Sequence, residues 1–109
     1  MTIYLILRYI VFMKVISKAR IVEFIKEHPD SENPLNVWYS IMSKTEFKSL
    51  ADLRKTFPSA DPVDNFTEFN IGGNKYRLIA AIHYNRGMLY IRNILTHSEY
   101  DKNKWKVKK

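Results

Sequence analysis

The groups best suited to chemistry in this 109-residue chain stand near its C-terminal end, in the run Thr96-His97-Ser98-Glu99-Tyr100-Asp101-Lys102. Together they supply an imidazole, a phenol, two carboxylates and an ammonium. Histidine exchanges protons near neutral pH, and a Tyr or Lys beside cations joins it when its pKa is lowered. Upstream, Lys75, Arg77, Arg86 and Arg92 fall in a stretch, 69–98, that holds no carboxylate. Proton-transfer groups beside cations match what cleavage of an RNA phosphodiester needs. A base activates the 2′-hydroxyl, cations stabilise the pentacoordinate phosphorane, and an acid protonates the departing 5′-oxygen. That route requires no metal. Taken alone the string is weak, because a lone histidine in a turn is more often a structural hydrogen-bond donor.

The distribution of charge sharpens this reading. Residues 1–68 carry nine basic and nine acidic side chains, so 69–109, with nine basic residues against Glu99 and Asp101, hold the whole net charge of +7. Such asymmetry points to a polyanionic partner, either nucleic acid or an acidic protein. The competing reading pairs each arginine with a carboxylate from the N-terminal half, or lets it snorkel to water. With no cysteine, disulfides, thiolate nucleophiles and thiolate metal sites are excluded. His28, His83 and His97 are too widely separated for a zinc motif, and no Walker loop or GxSxG sequence occurs.

Which elements position these groups follows from periodicity. A short strand over 14–17 precedes a helix over 18–28, with Ser17 as its cap and Pro29 forbidding continuation. Asn33-Pro34 marks the start of a second helix, with Leu35, Trp38, Ile41, Met42 and Thr45 along one face. Ser49 followed by Asp52 predicts a short capped helix through 55, and 57–65, with Pro58 and Pro62, reads as a loop. From 66 the period becomes two. Strands over 66–71, 75–84 and 88–96 are separated by Gly72-Gly73-Asn74 and Asn85-Arg86-Gly87, both hairpin signals. The expected class is α+β, with a strand and two to three helices packed on an antiparallel meander. On the second meander strand, Tyr76, Leu78, Ala80, Ile82 and Tyr84 share one face and Lys75, Arg77, Ile79, Ala81 and His83 the other. Strict alternation on the third strand sets Leu89, Ile91, Asn93 and Leu95 against Met88, Tyr90, Arg92 and Ile94. Residues 1–12 are apolar but shorter than a spanning helix and interrupted by Arg8, and Met13 opens a natural first strand. They are expected to form an extension outside a 13–102 domain, with 103–109 a basic tail, and the protein is expected to be cytoplasmic.

Five ordered blocks then carry a family resemblance: KVIS at 14–17, HPDSENPLNVWY at 28–39, FNIGGNKYRL at 69–78, IHYNRG at 82–87 and THSEYDK at 96–102. Together they resemble the HigB toxins, RelE-like mRNA interferases of type II toxin–antitoxin modules. The resemblance implies a RelE-like fold, endoribonuclease action on mRNA in the ribosomal A site beside 16S rRNA, no cofactor, and neutralisation by a HigA-type helix-turn-helix antitoxin. DNA would be reached only through that antitoxin, and no membrane is involved. By motif, Arg77 corresponds to the arginine that contacts the scissile phosphate and Arg92 to a second phosphate ligand. His97 and Tyr100 correspond to the proton-transfer pair, with the division of base and acid open. Lys75, Arg86, Lys102 and Asn74 are the expected RNA-binding residues. Leu95 stands where many relatives carry Gly.

Two other readings remain at this level. The chain is either a non-catalytic RNA- or ribosome-binding module, whose contacts position without cutting, or an inert relative that still binds its antitoxin. On the enzymatic reading, Arg77→Ala is expected to abolish growth arrest with the fold intact.

Overall fold

The computed structural model describes residues 13–102; the expected extension at 1–12 and tail at 103–109 lie outside the described residues. β1 (Lys14–Ile16) leads into α1 (Lys18–Glu27), a 3-10 turn at Pro29–Ser31, α2 (Glu32–Lys44) and α3 (Leu50–Thr56). Then come β2 (Asp61–Val63), β3 (Phe66–Ile71), β4 (Tyr76–His83), β5 (Met88–Thr96) and the short α4 (His97–Asp101). The α+β class is that expected, and the expected strand, helices and three meander strands occur in that order, with β2 and α4 added to them. No helix among the described residues is long and apolar enough to cross a membrane.

Local chemistry explains most boundaries and corrects four expectations. Ser49 caps α3 as expected, its hydroxyl accepting from Asp52 N at 3.1 Å while the Asp52 carboxylate accepts from Lys48 N. Ser17 does not cap α1 with its side chain. It sits at φ 77°, in the left-handed region that turns β1 sharply into the helix, and only its carbonyl bonds Arg20 N. The second helix begins at Glu32 with Ser31 as the flanking residue, so Asn33 is not its cap; Pro29 opens the preceding 3-10 turn. Pro34 is still accommodated, because first-turn N–H groups have no intrahelical acceptor. Thr45 is the extended residue that ends α2, so it leaves the apolar face. Within the expected loop, 61–63 pairs with β3 as an edge strand, where Pro62 is tolerated because an outward N–H is not needed.

One five-stranded sheet results, in the order β1-β5-β4-β3-β2. The meander is antiparallel, and β1 adds to β5 in parallel, Lys14 opposite Met88. Parity breaks once. Ile79 pairs with Asn93 but Ala80 with Ile91, so Arg92 is an extra residue in β5, a bulge. Beyond it the faces exchange: Ile94 turns to the core with Leu89 and Ile91, and Leu95 lies directly opposite Arg77. Strict alternation could not foresee this.

The helices bury one face of the sheet. Ile21, Leu35, Trp38, Met42 and Leu53 pack against Phe69, Ile71, Leu78, Ala80, Leu89 and Ile91, with Trp38 and Phe57 each set edge-on to Phe69. Tyr76 reaches the helical layer too, donating to Asp30 at 2.6 Å, while Lys75 pairs with the other Asp30 oxygen at 2.7 Å. Those bonds, from Lys75 first and then Tyr76, hold the Asp30 carboxyl below its usual range. A depressed folded pKa stabilises above the unfolded value and is lost as pH falls through the depressed one. Asp30→Asn is therefore expected to lower the melting temperature at neutral pH and to change it little in strong acid. Melting curves across that range check it.

Candidate active site

On the face of the sheet away from the core helices, β4 presents Arg77 and β3 presents Glu68. Register places Asn70 opposite Arg77 and Glu68 opposite Ile79, so Glu68 is the diagonal neighbour of Arg77. Both side chains are about nine-tenths buried, with Arg77 Nε 3.5 Å from Glu68 Oε2. That is an ion pair longer than a hydrogen bond. The rest of the guanidinium is held by the preceding turn. Nη1 donates to the carbonyls of Asn74 (3.2 Å) and Tyr76 (3.3 Å), and Nη2 to Asn74 Oδ1 (3.3 Å). Asn74, itself exposed, thus holds Arg77 in place through its carbonyl and side-chain oxygens. The tight turn that makes this possible needs left-handed backbone at Gly72 and Gly73, φ 63° and 69°.

The pairing of Arg77 with Glu68 matches the competing reading of the charge pattern, since Glu68 is the last carboxylate of the charge-balanced half. Glu68 was not among the residues singled out from the sequence. It was nonetheless reachable: the Gly-Gly turn sets 71 opposite 76, and counting back along β3 brings Glu68 beside Arg77.

Tyr100, on α4, completes the cluster. Its ring centre lies 5.5 Å from the Arg77 guanidinium carbon. Burial first, and then a hydrogen bond to the Glu68 carboxylate, push its phenol up to about 12. At neutral pH Tyr100 is therefore a neutral phenol donating to Glu68. A raised folded pKa stabilises below the unfolded value near 10 and is lost as pH rises toward about 12. Tyr100→Phe is expected to remove one late-ionising tyrosine from an alkaline absorbance titration and to flatten the loss of stability over that window.

His97 begins α4, with its backbone N–H bonded to the Lys75 carbonyl at 3.1 Å. Its imidazole Nε2 lies 3.4 Å from Asp101 Oδ2, and both side chains are more than half exposed. His97 and Tyr100 are three apart on one helix, hence neighbours on one face. What fixes that helix is a capping box. Thr96 Oγ1 accepts from Glu99 N at 3.2 Å, and the Glu99 carboxylate accepts from Thr96 N at 2.9 Å. The Thr-x-x-Glu spacing that signals it is legible in the sequence, and it gives Glu99 a structural task.

The other candidates separate. Arg92, at the bulge, sets its guanidinium carbon 4.8 Å from the Phe66 ring centre, in the row next to Glu68. Lys75 turns to Asp30 on the helical side. Arg86 lies in the 3-10 turn at the far end of the β4–β5 hairpin, beside a cavity also lined by Met13, Glu46 and Phe47. Six residues of β4 separate Arg77 from that end, roughly 20 Å. Lys102 is exposed and flanks the C-terminal end of α4. Among the described residues no three His, Asp or Glu come together to hold a metal ion.

The architecture is that of an α+β protein with helices on one face of a mixed sheet and an arginine–tyrosine cluster on the other. The family HigB_toxin, described as the RelE-like toxic component of a toxin–antitoxin system, matches residues 31–103. A protein of Escherichia coli O6:H1 (strain CFT073) named mRNA interferase HigB is 32% identical over 96 residues, covering 83% of this chain and 90% of that protein. The mRNA interferase toxin HigB of Escherichia coli K12 is 30% identical over 92 residues, covering 82% and 88%. A Shigella flexneri protein named mRNA interferase HigB matches to the same extent. The chain belongs to the HigB family of RelE-like toxins.

Proposed function

We propose that this chain is a ribosome-dependent endoribonuclease toxin, an mRNA interferase that blocks translation by cutting mRNA in the ribosomal A site. The main support is that the relatives bear that name over more than four-fifths of this chain. The grouping of Arg77, Tyr100 and His97 at one end of the sheet is consistent with it. Attack of the substrate's own 2′-hydroxyl needs no metal, and leaves a 2′,3′-cyclic phosphate and a 5′-hydroxyl. Arg77 and Arg92 stabilise the phosphorane, while His97 and Tyr100 move the protons. The basic C-terminal region provides the long-range attraction for mRNA and 16S rRNA, with Lys75, Arg86 and Lys102 outside the reacting centre. The protein works in the cytoplasm, and a HigA-type helix-turn-helix antitoxin neutralises it and connects it to DNA.

One observation favours the reading of an inert relative or binding module. Arg77 is largely occupied by acceptors of its own chain, so a phosphate engages it fully only if Asn74 or Glu68 yields. Induction of the full chain, followed by mapping of cellular 5′ ends with and without a translation inhibitor, decides between them. New ends within translated codons that vanish when translation stops are expected. Growth arrest without new ends favours the binding module, and no effect from a folded chain favours the inert relative.

A further inference from the structure

We propose that Glu68 is a positioning residue for RNA cleavage: it acts through Tyr100, receiving the phenolic proton as the phenol oxygen receives the proton of the substrate's 2′-hydroxyl. The inference rests on the mRNA-cleaving reading and assigns what that reading leaves open, the division of base and acid between Tyr100 and His97.

Three observations carry it. First, Glu68 is a carboxylate about nine-tenths buried on the same face as Arg77, next to Tyr100 and outside the helical core. A buried carboxylate without a task is expensive, and its partner Arg77 sits at 3.5 Å, too far for a hydrogen bond. Secondly, the Tyr100 phenol is bonded to that carboxylate and stays protonated to about pH 12. Such a phenol is a poor base unaided, but its oxygen accepts a proton readily if its own leaves at the same moment to an acceptor already in place. Thirdly, charged and titratable groups reach Glu68 and its row from four elements: Asp61 opposite it on β2, Arg77 on β4, Arg92 on β5 over Phe66, and Tyr100 on α4. Within the site Arg77 sets a positive charge beside Glu68, so the carboxylate is held in its ionised form as an acceptor.

The step balances. The 2′ O–H bond breaks and its proton passes to the Tyr100 oxygen, while the phenolic proton passes to Glu68. The 2′-oxygen forms its bond to phosphorus and the bond from phosphorus to the 5′-oxygen breaks. His97, which lies beside Asp101, gives a proton to that 5′-oxygen. Exchange with water returns Glu68 to carboxylate and His97 to its cationic form.

The experiment is single-turnover cleavage of ribosome-bound mRNA by the full chain. One substrate is ordinary RNA, and the other carries sulfur in place of the scissile 5′-bridging oxygen. A thiolate leaves without a proton, so a residue serving only as acid becomes dispensable on the second substrate. Glu68→Gln and Tyr100→Phe are each expected to be about 10²-fold slower on both substrates, with KM unchanged. The double variant should be no slower than either single one, and His97→Ala should recover on the sulfur substrate. Three results overturn the proposal: a Glu68→Gln chain as fast as wild type, one impaired only in KM, or sulfur restoring Tyr100→Phe. Melting and antitoxin binding show whether Glu68→Gln is folded. If it is not, Tyr100→Phe on the two substrates still decides. A wild-type chain that leaves ribosome-bound mRNA intact overturns the mRNA-cleaving reading and this inference together. A wild type that cuts beside an unimpaired Glu68→Gln overturns this inference alone.

Discussion

Replacing Arg77 with alanine is expected to abolish growth arrest and also to lower the melting temperature. The change takes away the guanidinium that pairs with the buried Glu68 carboxylate. Removing one partner of a buried pair typically destabilises by about 3–5 kcal/mol. The low end applies here, because both side chains keep about a tenth of their exposure. About 3 kcal/mol corresponds to a fall of roughly 10–20 °C for a domain of this size. The expectation from sequence alone, inactivation with an intact fold, is revised accordingly, and Arg77→Ala by itself does not separate chemistry from stability. Two further variants do. Arg77→Lys keeps a charge for Glu68 but loses the planar donor fork, so it should melt near wild type while cleavage falls ~10²–10³-fold. The double replacement Arg77→Met with Glu68→Met removes both charges and should recover most of the stability with no activity. Calorimetry beside ribosome-bound cleavage reads both. An Arg77→Lys chain cutting at the wild-type rate sinks the assignment of Arg77 to the phosphate.

His97→Ala should separate the two properties in the opposite sense. Its imidazole and the Asp101 carboxylate are both more than half exposed, and an exposed pair of that kind contributes little to stability. The helix start depends on Thr96 and Glu99, which the substitution leaves alone. Melting temperature and antitoxin binding are therefore expected to stay near wild type, while cleavage falls on the order of 10²–10³-fold, as for loss of a general acid or base. End mapping after induction of the His97→Ala chain measures it. New 5′ ends at wild-type abundance would remove His97 from the reaction and leave Tyr100 with Glu68 as the candidate proton-transfer groups.

Much of this architecture is legible along the chain. The change of period at Phe66 marks the helical half from the sheet, and Gly72-Gly73 and Gly87 sit at the two hairpin turns with positive φ. The cap at Ser49 follows from a spacing of three. These signals are local: each depends on residues within one turn of each other, so no knowledge of the rest of the fold is needed to read them. The second helix shows where local signals compete. Asn33-Pro34 is a good start signal, but Pro29 begins a 3-10 turn whose last residue already flanks the helix, and the earlier signal prevails.

The sequence by itself determined the α+β order, the two hairpins, the concentration of positive charge in the last 41 residues and the family motifs. Periodicity, turn chemistry and charge are written in consecutive residues. The tertiary structure alone decided how those charges are used. Lys75 and Arg77 are two apart, yet one reaches Asp30 beside the helices and the other Glu68 on the opposite face. A single extra residue at Arg92 exchanges the two faces of β5 and brings Leu95 over Arg77. The physical reason is that an ion pair is chosen by which strands lie side by side and by their register. One bulge changes that register for every residue beyond it.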